Sequence, residues 1–230
     1  MNSLLGIFAD APAPARQPIV TPIREENQRK AVFPASSVHE EQIRSLVQQL
    51  FFRADSNPAR CVAFVSVDAS DEISPLCLEV ARSLSSEDRY DVGLIDAHSD
   101  PCLLQSRLRI APPSRPELTW PIAGRLWMVP RQSWQSDDMR QQVTEQDLAR
   151  LRDLTTEFDC SVLWCGSVSW RTLSIGKLCD GAVLVLTANK TRRLVAAQVR
   201  HQLQDAQIPL LGTVLTERRF PVPKSLYRSL

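Results

Sequence analysis

Apolar residues along this chain alternate between short continuous runs and longer stretches with a repeat of three to four. From Val38 to Arg53 the apolar side chains Ile43, Leu46, Val47, Leu50 and Phe51 fall on one face, which predicts an amphipathic helix. Ser37 stands where a cap belongs, and Glu40 completes a capping box. Cys61 to Val67 is a continuous apolar run and predicts a buried strand. Further strands are predicted at Val92 to Ile95, Leu126 to Val129, Ser161 to Trp164, Ala182 to Thr187 and Pro209 to Leu215. Between them, helices are predicted at Pro75 to Leu84, from a Ser136 cap to about Glu157, and at Thr191 to Gln207. The last carries Leu194, Val195, Val199 and Leu203 as its apolar positions. Residues 107 to 121 hold four prolines and read as a long loop. Apolar strands alternating with amphipathic helices predict an α/β fold, a mostly parallel sheet covered by helices on both faces.

The chain ends break this rhythm. Pro12, Pro14, Pro18, Pro22 and Pro34 oppose regular structure, so residues 1–35 read as a Pro/Ala-rich tail, tipped by the apolar patch Leu4, Leu5, Ile7 and Phe8. Residues 36–217 form the α/β domain, and residues 218–230 an extended C-terminal tail. The first eleven residues contain Asp10 and no basic cluster, unlike a secretory signal. No apolar run approaches the ~18 residues of a membrane span.

Composition narrows the chemistry. The formal net charge is +1, which gives no global attraction to nucleic acid or anionic membrane. Six cysteines are scattered without a CxxC pair, which fits reduced, buried thiols in a cytoplasmic protein. The chain has 7 glycines against 16 prolines, and no two of the glycines are close neighbours. A loop that wraps a phosphate with backbone amides draws on clustered glycine, so the shortage argues against such a loop.

Ligands in open α/β sheets bind at the carboxyl ends of the strands. The first such turn runs from Asp68 to Pro75 and has the place of a phosphate loop. It contains Asp68, Ser70, Asp71, Glu72, Ile73 and Ser74, with neither Gly nor Lys, and its carboxylates would repel a polyanion. Ser74 and Pro75 suit a helix start, with Ser74 as cap rather than magnesium ligand. Asp96 ends the second strand and reads equally as a metal- or water-positioning acid and as a turn residue or arginine partner. His98 reads as a solvated loop histidine. Trp164 ends the strand where a nucleotide hydrolase holds magnesium with Asp, and its ring is expected to fill the nucleotide's space. Cys165 reads as a structural thiol.

Several segments together carry a resemblance. Cys179 to Leu186, followed by Asn189-Lys190-Thr191-Arg192-Arg193, is similar to "DGVLLVV…KTRR", and Leu211 to Leu215 to "LGVVLN". Phe158-Asp159, Leu94-Ile95-Asp96-Ala97 and the helix from Glu41 to Leu46 also align. Over about residues 38 to 217 the chain resembles the tyrosine autokinases of bacterial capsule and exopolysaccharide clusters, a branch of the MinD/ParA-like P-loop proteins. Against the family's Gly-Lys-Ser/Thr stand Glu72, Ile73 and Ser74. Its Asp-x-Asp-x-Arg becomes Asp96, His98 and Asp100, and its third-motif Asp is Trp164. Glu41 and Arg44 keep part of its Glu-x-x-Arg-x-x-Arg association helix, with Val47 in the last place. Only Tyr90 and Tyr227 are present, without the family's tyrosine cluster.

The resemblance implies a cytoplasmic role in polysaccharide assembly or export, beside the inner end of a membrane co-polymerase. It leaves self-association open, through Glu41 and Arg44 or the basic face of Lys190, Arg192 and Arg193. Degraded motifs imply a catalytically inactive scaffold without a cofactor. An active kinase or ATPase would need magnesium and ATP, with Arg192 or Arg193 replacing the missing lysine. The third alternative is a ParA-like positioning module.

Overall fold

The structure, a computed structural model, describes residues 37–52, 58–68, 73–86, 89–100, 103–109, 118–136 and 142–217. Both predicted tails lie outside these residues, as do Ser70 and Glu72 of the first turn.

Seven strands form one sheet: β1 (Cys61–Ser66), β2 (Val92–Asp96), β3 (Trp120–Ala123), β4 (Leu126–Val129), β5 (Cys160–Ser167), β6 (Gly181–Thr187) and β7 (Leu210–Thr216). Their order is β3-β4-β2-β5-β1-β6-β7, all parallel except the β3–β4 pair. Among the described residues the α-helices are α1 (Ser37–Phe51), α2 (Ile73–Ser85), α3 (Leu103–Leu108), α4 (Glu145–Thr156), α5 (Trp170–Gly176) and α6 (Arg193–Asp205). Strands β1, β2 and β5 are almost wholly buried, as continuous apolar runs should be when both sheet faces are covered.

Alternation within each strand divides the core into two layers. Val62, Phe64, Val92, Leu94, Val162 and Trp164 pack with α1, α2 and α3. Ala63, Val65, Ile95, Leu163 and Cys165 pack on the other side with α4, α5 and α6. This is the predicted three-layer α/β sandwich.

Several element expectations are corrected. The proline-rich segment holds α3 and β3 at its two ends, because β3 is an antiparallel edge strand, where a proline such as Pro121 is tolerated. Helix α2 begins at Ile73, two residues before the expected start, so Ser74 and Pro75 lie in its first turn. Proline's missing N–H costs nothing there. Helix α5 was absent from the sequence reading; it is only seven residues long and is capped by Ser169. On α6, Leu194 and Val195 are exposed, so only Val199 and Leu203 of the four expected apolar positions are buried.

Helix α4 starts at Glu145, not after Ser136, because a stronger cap lies at Thr144. Thr144 Oγ1 accepts the Asp147 N–H at 3.2 Å, and the Asp147 carboxylate accepts the Thr144 N–H at 3.0 Å. The same carboxylate accepts the Ser136 N–H at 3.1 Å and its hydroxyl at 3.2 Å. Burial alone would raise the Asp147 pKa, but these bonds favour the anion and hold it below the ordinary carboxylate value. Asp147→Ala removes both the cap and the anchor for Ser136. It should lower stability by about 1–2 kcal/mol in chemical denaturation, whereas an exposed change such as Glu145→Gln stays within about 0.5 kcal/mol.

Candidate functional site

The parallel topology brings the carboxyl ends of β1, β2 and β5 together, and with them most of the side chains the sequence marks. Asp96, at the end of β2, is fully buried. Its Oδ1 accepts the His98 N–H at 3.1 Å, and the nearby Leu104 amide also favours the anion. Oδ2 has no hydrogen-bond partner among the described residues. Desolvation dominates this carboxyl; the opposing pull of two backbone amides and of Arg131 and Arg171 is weaker, and its pKa rises to about 7.

The chain after Asp96 is gripped through its carbonyls. Trp134 Nε1 donates to the Asp96 oxygen at 3.1 Å. Arg171 reaches the Ala97 and His98 oxygens through long hydrogen bonds of 3.4 and 3.5 Å. Arg131 donates to the Ser99 oxygen. Arg131, Trp134 and Arg171 are themselves buried, and the Arg171 guanidinium sits 5.2 Å from the Trp134 ring centre.

Trp164 lies within β5, which runs on to Ser167 rather than ending at the tryptophan as expected, and it is paired in register with Asp96 on one side and Phe64 on the other. Its ring is buried and stacks on His98 with centres 4.5 Å apart and planes inclined by 10°. Arg107 approaches the same ring, 5.7 Å from its centre. His98 is therefore not the solvated loop residue that its sequence context predicts. Desolvation first, then nearby arginines against Asp100, lowers its pKa, so the neutral imidazole is the stable form. Its Nδ1 accepts the Asp100 N–H at 3.0 Å, which leaves the proton on Nε2. Gly166 makes room for this stack. Its φ is +70°, and a Cβ there would come within 2.2 Å of His98 Cδ2.

The first turn keeps Asp68 in view, and its Oδ2 accepts the Thr191 hydroxyl at 2.5 Å, tying the turn to the loop after β6. Ile73 and Ser74 are both fully buried. Cys165 is a buried thiol with its pKa pushed up to about 12, as expected of a structural cysteine. Glu41 and Arg44 lie exposed on α1, whereas Arg192 and Arg193 are exposed at the start of α6 in the opposite layer. Lys190 pairs with Glu217 at 2.9 Å. The two expected interface patches are therefore not one surface.

Among the described residues, the positions that the resemblance sets at the nucleotide site carry other side chains than that family's. In the alignment that the resemblance implies, Ile73, fully buried at the head of α2, stands against the phosphate-binding lysine, and the buried Trp164 against the magnesium-positioning Asp. The remaining acid, Asp96, is too desolvated to be a firm anion at neutral pH. Among the described residues, no group of three His, Cys, Asp or Glu side chains converges on a metal position.

A concavity of about 340 Å³ opens beside this cluster on the α5 side, with Arg171 and Trp170 in its wall. Sequence reading missed Arg131 and Arg171. The available signal was a lone arginine in the otherwise uncharged stretch from Ser161 to Ile175.

No protein-family model and no curated protein matches the sequence. Solved structures do match the fold. The VpsO kinase domain aligns with TM-score 0.64 at 17% identity, over 79% of this chain and 97% of that one. The kinase domain of the Escherichia coli tyrosine kinase ETK aligns with TM-score 0.58 at 12% identity, over 80% and 79%. MinD from Pyrococcus horikoshii, complexed with Mg-ADP, aligns with TM-score 0.54 at 14% identity, over 74% and 76%. The fold is thus the MinD/ParA-like α/β sandwich. Bacterial tyrosine kinase domains share this sandwich with MinD and align with this chain at similar scores. Among the described residues no helix is long and apolar enough to cross a membrane.

The buried Asp96 generates a pH dependence. Its carboxyl binds protons more tightly in the folded than in the unfolded chain, so stability falls as pH rises from about 4 to about 7 and then levels. A displacement from 3.8 to about 7 corresponds to roughly 4 kcal/mol as an upper bound. Asp96→Asn, which retains the acceptor oxygen, should flatten this slope. Its thermal midpoint should exceed the parent's at pH 8 and match it near pH 4; equal midpoints at pH 8 would contradict the buried carboxyl's role.

Proposed function

We propose that this chain is a catalytically inactive, tyrosine-kinase-like protein that acts as a scaffold or regulator in bacterial exopolysaccharide assembly and export. The observation that carries the reading is Trp164. A buried indole, stacked on His98 and joined in register to Asp96, holds the position from which the resembled family positions magnesium. Ile73 supports it, since a fully buried aliphatic residue at the loop's end offers no cation to a terminal phosphate. The kinase-domain fold supports the biological setting through the resemblance, and activity does not follow from fold. The proposed partner is the cytoplasmic end of a membrane polysaccharide co-polymerase, met at the exposed Glu41 and Arg44 of α1 or at Arg192 and Arg193 of α6.

Two measurements test this reading. Calorimetric titration with magnesium and ATP should give no saturable heat, and micromolar affinity would overturn the inactive assignment. In the native host, deletion of the gene should reduce exopolysaccharide, and the Asp96→Asn chain should restore it as fully as the parent. An ATP-dependent enzyme would lose its remaining acidic motif residue in that variant and fail to restore production.

A further inference from the structure

The two edges of the sheet are finished differently. At one edge β3 is four residues long, runs antiparallel to β4 and carries Pro121. Such an edge offers little to a further strand. At the other edge β7 is seven residues of Leu, Gly, Thr and Val, with neither charge nor proline, and no described strand pairs with its outer side. Successive residues of a strand direct their N–H and C=O groups to alternate sides. The Thr216 carbonyl accepts the Ala188 N–H at 2.9 Å, so Thr216 and Val214 face β6. Thr213 and Leu215 therefore turn their backbone groups to the open edge. Their side chains lie in the layer of α6, opposite to Val214, which packs in the layer of α1. Leu215 is 51% exposed there. A long apolar strand with unpaired ladder groups is a template for another strand.

The chain itself continues from this strand. At Glu217 the backbone takes a left-handed φ of +54°, which turns it off the line of β7. Residues 219–224 then read Arg-Phe-Pro-Val-Pro-Lys, so Pro221 and Pro223 alternate with Phe220 and Val222. In an extended segment that period of two puts both proline nitrogens on one edge and the N–H groups of Phe220, Val222 and Lys224 on the other. Only one edge can make a ladder. With residues 216–219 as a four-residue hairpin loop, Phe220 falls opposite Leu215 and Val222 opposite Thr213. The outward groups of β7 then meet the donating edge, Phe220 lies beside the exposed Leu215, and both prolines point away from the sheet. A two-residue loop would draw Thr216 out of its bond with Ala188. Attachment to the end of β7 also gives this segment a high effective concentration, which a second copy lacks.

We propose that residues 220–224 dock on the outer side of β7 as a further antiparallel strand, finishing this edge with prolines as Pro121 of β3 finishes the other. The assignment does not depend on the inactive-scaffold reading, because it rests on the strand edge and not on the nucleotide position.

Amide exchange followed by nuclear magnetic resonance on the full chain tests it. The Thr213 and Leu215 amides should be protected alongside those of Val214 and Thr216, equally at every protein concentration. The pairing also sets the α-hydrogens of Val214 and Pro221 face to face, which a nuclear Overhauser contact reads. Val222→Pro removes an inward donor and should speed exchange at Thr213 and Leu215 by about tenfold or more. Val214 and Thr216 should stay protected in this variant and report that the domain is folded. Pro221→Ala, at an outward nitrogen, should leave all four amides unchanged. Where Val222→Pro does not fold, the Val214–Pro221 contact in the parent decides. The proposal is overturned if Thr213 and Leu215 exchange freely in the full chain, or if a folded Val222→Pro leaves them protected. Protection that fades on dilution overturns it too, and assigns the edge to a second copy.

Discussion

Four successive carbonyl groups, from Asp96 to Ser99, are held by three side chains that arrive from other parts of the chain. This grip is the constraint on which the carboxyl edge of the sheet depends. A loop leaving a buried strand must find donors for its carbonyls, and burial without them would be prohibitive. Trp134, Arg131 and Arg171 supply those donors. Once the loop is fixed, Asp96 is sealed from water, His98 is set flat on Trp164, and Arg171 is drawn against the wall of the concavity.

The same arrangement explains why one edge holds two unlike chemistries. Strand alternation sends Trp164 to the layer of α1, α2 and α3, where it joins Phe64 and Ile73 in an apolar cluster. Its neighbour Cys165 faces the opposite layer, next to α5 and the arginines. Residues one position apart therefore serve a dry side and a polar side. His98 belongs to both, with its ring face on the indole and its edge near the polar wall.

Much of the architecture could be read from the sequence, because continuous apolar runs and helical periodicity are local signals. Strands at Cys61, Val92 and Gly181, and helices α1 and α6, stand within a few residues of their expected bounds. The resemblance rests partly on residues with structural duties. Asp180 accepts the Arg60 and Cys61 amides at 2.7 and 2.8 Å at the entry to β1, and Asp159 accepts the Asp91 amide at 2.9 Å before β2. What escaped was non-local. The Ser136 cap gave way to Thr144 because Asp147 captures both segments, a competition no single window contains. Leu194 looked inward by period, yet α6 turns it to solvent. Arg131 and Arg171 are 40 residues apart in sequence, so nothing local marks them as a pair. His98 resembled any loop histidine until the indole beneath it was seen.

Trp164 also closes a route. Replacing a buried tryptophan by a small residue costs about 3–5 kcal/mol through the void it leaves. An aspartate placed there would sit directly across the strand pair from Asp96, so two carboxyl groups would compete for charge in a dry setting. An acidic residue at this position would therefore cost stability twice, once through the void and once through the second buried carboxyl, and packing density alone holds the indole in place.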